Sequence, residues 1–152
     1  MSDSLDLLDG VAALIVANVP GTAYNPAGTY TAGQVGIFNM LMPTAPDEAI
    51  ALTWVPQVEH PSMPQGVGLL QVRCRGAANV PRRPVELLDQ ISTLFLGRMA
   101  IHLTPTLQIM QVRERVRAPL GMDESKRWDW TDNYTLDVAY TPTTARPAGG
   151  NW

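Results

Sequence analysis

GLLQVRCRGAANVPRRPVELLDQISTLFLGR, residues 68–98, is the stretch from which the fold is read. Leu70, Val72 and Cys74 alternate with Gln71, Arg73 and Arg75, the two-residue period of a half-buried strand. Gly76 to Pro81 break that pattern. From about Arg83 the period lengthens: Val85, Leu88, Ile91, Leu94 and Phe95 share one helical face, and Glu86, Asp89, Gln90 and Thr93 share the other. Pro84 suits a first helical position, where its missing N–H would have had no partner. Gly97 suits the left-handed residue that ends a helix, with Arg98 near the negative pole. The apolar faces of this strand–turn–helix unit make a core. Function then rests on what those faces leave outside, chiefly the arginines.

Working outward, Ser4 to about Ala17 reads as a first helix, with Leu5, Leu8, Val11, Ala12 and Ile15 as its stripe and Asp3 and Asp6 at its positive end. Residues 21–35 are turn-rich, with one short strand near Thr22 to Tyr24. Gly36 to Met42 and Glu48 to Val55 read as strands, and Gln57 to Gly66 as a polar loop with two prolines. Ile101 to Thr104 is a short extended piece. Leu107 to Arg117 alternates, with Gln111, Arg113, Arg115 and Arg117 on one side and Val112 and Val116 facing in; its core side switches midway, the mark of a bulge. Ala118 to Ser125 reads as a turn and Asn133 to Tyr140 as the last strand. The predicted fold class is α+β: a mostly antiparallel or mixed β-sheet with two α-helices packed on one face. Residues 1–141 form a single domain, followed by a flexible C-terminal tail at 142–152 that holds two prolines and a Gly-Gly pair.

The 152 residues are enough for one domain with its own core. Charge is unevenly placed: residues 1–60 carry six acids and no Lys or Arg, whereas all eleven cations, ten of them arginine, lie between Arg73 and Arg146. The two parts are formally −6 and +3, a distribution that allows association through unlike patches unless the fold mixes them. The single Cys74 excludes an internal disulfide and reads as a core thiol. The N-terminal apolar run, Val11 to Ala17, is too short to span a bilayer, so a soluble protein made in a cytoplasm is expected.

No spacing points to catalysis. His60 lies in a proline loop and His102 between apolar residues, and neither has a patterned partner to orient it as a base. Asp123-Glu124 with Asp129 and Asp132 has too few oxygens at set spacing for a calcium cage. No phosphate loop is present, and no catalytic, cofactor or metal residue is assigned. Trp128 and Trp130 share a face and are expected to pack on the core. The sharpest feature is the row Arg113, Arg115 and Arg117, with Arg73 and Arg75 on another strand. If those strands are neighbours the row becomes a basic patch for a protein partner or, alternatively, for nucleic acid.

Three segments carry a resemblance. MPTAPDEAIALTWV, LLQVRCRGA leading into its helix, and RVRAPLGMDESKRWDWTDNYTLDVAY resemble phage minor capsid proteins of the tail-terminator type, from long non-contractile tails, over about residues 4–141. Gln57–Gly66 departs from the shorter link of that pattern. The resemblance implies a mixed sheet with packed helices and six subunits in a ring. That ring would cap the finished tail tube, end its elongation and offer a docking surface to the head connector. DNA would pass through its lumen without sequence readout. It further implies no cofactor, no enzymatic step and no membrane, with the protein in the host cytoplasm during assembly and at the head–tail junction of the virion. Subunit or partner contacts are expected at Arg73, Arg75, Arg113, Arg115, Arg117, His60 and Trp152.

Overall fold

The computed structural model describes residues 3–60 and 63–141. The expected tail at 142–152, Trp152 included, lies outside the described residues. The elements run α1 (Asp3–Asn18), β1 (Thr22–Tyr24), β2 (Val35–Asn39), β3 (Ala49–Glu59), β4 (Gln65–Arg75), α2 (Arg83–Phe95), β5 (Met99–Thr104), β6 (Leu107–Met122) and β7 (Trp128–Tyr140). The strands form one seven-stranded sheet in the order β1-β2-β3-β4-β7-β6-β5. The pairs β1–β2 and β2–β3 are parallel and the rest antiparallel, so the sheet is mixed and the protein is α+β.

Both helices cover the same face. α2 lies on β4 and β7, while α1 touches β1 and β3 toward one edge and β5 and β6 toward the other, so the sheet curls around it. The periodicity explains the packing: Leu7, Leu8, Val11, Ala12 and Ile15 of α1, and Leu87, Leu88, Ile91, Leu94 and Phe95 of α2, are buried against Ile50, Leu52, Leu70, Val72, Tyr134 and Leu136. Phe95 and Tyr134 meet ring to ring at 5.0 Å. Gly10 permits the closest approach of α1 to the edge strand, because a Cβ there would stand 2.7 Å from Leu103 Cβ. Gly97 takes φ 75°, the left-handed turn expected after α2.

The structure lengthens the strands. The predicted polar loop at 57–66 is mostly strand: β3 and β4 pair as far as Glu59 and Gly66, beyond the helices, where no core imposes an apolar alternation. The predicted turn at 118–125 shrinks likewise, since β6 runs to Met122 and β7 begins at Trp128. Trp130 packs against the core as expected.

β6 carries the consequential correction. Its register with β7 shifts between Ile109 and Gln111, between Val112 and Glu114, and between Pro119 and Gly121. Residues directly opposite in an antiparallel pair share a face. Val112, opposite buried Leu136, therefore faces the helices as expected. After the second bulge Arg115 and Arg117 lie opposite Tyr134 and Asp132 and also face the helices, while Val116 lies opposite Asn133 on the uncovered face and is 50% exposed. The expectation that Val116 faces in and the arginines form one outward row is thus overturned. Each bulge adds a residue and reverses the alternation.

Candidate functional site

The face away from the helices is built by register. Across β3, β4, β7 and β6 it presents Ala51, Arg73, Thr131 and Ala118 in one rank, Thr53, Gln71, Asn133 and Val116 in the next, then Val55, Leu69, Thr135 and Glu114. The first of these ranks is largely covered; Val55, Glu114 and Val116 stand exposed.

The five arginines fall into three settings. Arg73 pairs with Asp129 on the uncovered face. Arg75, beside it, is only 4% exposed: Nε, Nη1 and Nη2 donate to the carbonyls of Asp47, Pro43 and Pro46 at 2.9, 2.6 and 2.7 Å. Burial, and then neighbouring Arg127, pull its pKa down. Arg127 donates to the Thr44 carbonyl and reaches Asp47 and Asp123, and Arg83 bonds Glu48 at 2.9 Å. The basic segment thus holds the acidic one at this loop, so the two charge regions mix here rather than standing wholly apart. On the other face Arg117 forks onto Asp132 at 2.7 and 2.9 Å and reaches Asp89 of α2 at 2.5 Å, and Arg115 lies 3.9 Å from Asp132. Those bonds, the Asp132 pair first, raise the Arg117 pKa. The structure therefore separates Arg73 and Arg75 from Arg115 and Arg117 by the thickness of the sheet.

Arg113, at the bulge, is the one arginine of its row on the uncovered face. Its Nε approaches Asp137 Oδ1 at 2.8 Å, without hydrogen-bond alignment, and half of its side chain meets solvent. Together with His60 it lines a half-open groove of about 340 Å³. Val58, His60 and Gln65–Val67 of the β3–β4 hairpin form one wall, Asp137 and Val138 the floor, and Met99, Met110, Gln111 and Arg113 the other wall. His60 is exposed and its N–H donates to the Gln65 carbonyl at 3.1 Å. Sequence reasoning placed Arg113 and His60 at a contact but missed Met99, whose exposed side chain on an edge strand leaves no periodic signal.

The acids read as a weak cation cluster are dispersed: Asp123 serves Arg127, Asp129 serves Arg73 and Asp132 serves Arg117. Among the described residues no group of three or more His, Cys, Asp or Glu could hold a metal ion. Cys74 is fully buried, and that burial pushes its thiol well above the ordinary value, away from the reactive thiolate. Tyr24, on the short edge strand, is pushed up to about 12 by burial and by its bond to Asp9 of α1.

A family model described as bacteriophage tail terminator protein matches residues 14–140, most of the chain and nearly all of the sheet. The chain belongs to the bacteriophage tail terminator family. No curated protein matches it in sequence. Membership makes it a structural component of a phage tail, and the resemblance read from the sequence segments is sustained over their whole span. No helix among the described residues is long and apolar enough to cross a membrane. Within this tail terminator the uncovered sheet face and its groove are the surface left for partners, because the opposite face is occupied by α1 and α2.

Proposed function

We propose that the protein caps the tail tube as a closed, six-subunit ring, ends tube elongation and presents the docking surface for the head connector, at the head–tail junction of the virion. DNA passes through the ring's lumen without sequence readout. Family membership supports the tail role, and one structural observation carries the rest: a sheet whose helix-free face bears an apolar groove at the end of a projecting hairpin. A surface of that kind stabilises assembly, as exposed apolar patches rimmed by polar groups do generally. Arg113 and His60 are the contact residues we retain from the sequence; Arg75, Arg115 and Arg117 act within the subunit.

The rival reading, a nucleic-acid module using the arginine strand, is weakened by the same geometry. Arg113 and Arg117 face opposite ways, and each sits against an aspartate, so no continuous basic stripe tracks a phosphate backbone. The test is tail length. Phage assembled without this protein should show overlong or uneven tails in electron micrographs, and tails of normal uniform length would overturn the proposal. Leaking heads on normal tails would reassign the protein to the neck.

A further inference from the structure

The four most exposed large apolar side chains among the described residues occupy two places. Met99 (77%) and Val58 (61%) stand in the groove; Leu41 (65%) and Met40 (63%) stand together where the chain leaves β2. β2 is one strand in from one edge of the sheet, and β5, which carries Met99, is the opposite edge. Met40 adopts φ 63°, a left-handed conformation uncommon for a residue with a side chain, and its N–H is pinned to the Leu52 carbonyl at 2.7 Å. The bend is therefore held from within while the two side chains it carries are left outside.

Charge follows the same division. The β1–β2 flank comes wholly from residues 1–60, which hold six acids and no Lys or Arg. The groove flank carries half-exposed Arg113, and exposed Arg98 directly precedes Met99. One flank is apolar with an acidic surround, the other apolar with cations, and the two are different surfaces of one chain.

We propose that the Met40–Leu41 pair of one copy docks in the Met99–Met110 groove of the next. This rests on the ring reading above and assigns its contact. Such a joint is heterologous: each copy gives one patch and receives at the other, and successive copies close when the rotation per copy completes a turn. Unbranched methionines suit the receiving side because they adapt to the inserted shape. The pair and groove are the anchors of a larger contact, since a stable interface buries roughly 1,200–2,000 Å² and a few residues dominate its energy.

The test uses the full chain in sedimentation velocity. Leu41→Asp spoils the giving patch and Met99→Asp the receiving one; both side chains are exposed, so circular dichroism and melting should match the wild type. Each variant alone should self-associate at least roughly 30-fold more weakly. An equimolar mixture should form a dimer and stop there, because one intact joint remains between Met99→Asp, giving, and Leu41→Asp, receiving. Oligomers indifferent to both changes, a wild type monomeric at every concentration, or a mixture that stays monomeric would each overturn the contact. The ring reading is judged separately: normal tail length control with unaltered association removes this joint alone, whereas uniform tails without the protein remove the ring.

Discussion

Arg113 and Arg117 belong to the same strand, separated by a bulge, and face opposite sides of the sheet. Arg113 stands over Asp137 with half its side chain in water. Arg117 is mostly covered, forks onto Asp132, whose side chain is fully buried, and reaches across to Asp89 on α2. One pair is screened by solvent and imperfectly aligned. The other closes the boundary between sheet and helix, and Tyr134 donates its hydroxyl to the same carboxylate at 3.2 Å. Residue type and strand are shared; the pairs differ in desolvation. An exposed pair contributes about 0–1 kcal/mol, whereas removing one partner of a buried pair costs about 3–5 kcal/mol because the other charge is left without compensation.

Breaking the covered pair gives the largest expected effect. Arg117→Ala should lower unfolding stability by about 3 kcal/mol, read as a reduced urea midpoint at unchanged slope. The residual partners of Asp132, Arg115 at 3.9 Å and the Tyr134 hydroxyl, keep the loss near the lower end of that range. A loss below about 1 kcal/mol would mean that water replaces the guanidinium, and the comparison would fail.

Arg75 sharpens the contrast, because it lies on the uncovered face yet behaves as a buried group. Its three donors end on backbone carbonyls of one loop, so it shapes the crossover between the parallel strands β2 and β3. Arg75→Ala should cost about 2 kcal/mol, the scale of hydrogen bonds to a charged group. Amide exchange should speed up at residues 43–48 before it does in the β4–β7 ladder. Uniform acceleration across the sheet would show that the loop is held by something else.

The elements were legible wherever a single face meets the core. Leu70, Val72 and Cys74 against Leu88, Ile91 and Phe95 announce a strand and a helix by period alone, and all six are buried in the one cluster. Two kinds of feature were not legible. Where polar side chains face the helices, alternation misassigns the face: Arg115 and Arg117 look solvent-bound until Asp132 is known to lie opposite. Where strands extend past the core, as at Gln57–Glu59, nothing apolar marks them, and pairing with β4 decides. The candidate site suffers both effects. His60 was visible as a loop residue and Arg113 as part of a row. Their union in one groove depends on a bulge, on a hairpin longer than its apolar pattern, and on Met99, brought alongside by β5 pairing with β6. Arg75 and its carbonyls are separated by about thirty residues of chain, beyond any local reading.

The smallest expected effect is the most discriminating for function. Arg113→Ala should change stability by less than about 1 kcal/mol, and its coupling to Asp137 in a double-mutant cycle should fade as salt is raised, since the pair is open to counterions. The coupling of Arg117 to Asp132 should persist under the same salt, because its carboxylate has no exposure. A side chain that contributes little to folding but stands half exposed beside an apolar groove is free to serve a partner. Arg113→Glu should then leave the monomer's melting nearly unchanged while weakening association. If Arg113→Ala costs as much stability as Arg117→Ala, the bulge does not separate a structural arginine from a contact arginine, and the uncovered face loses its claim to be the one left for assembly.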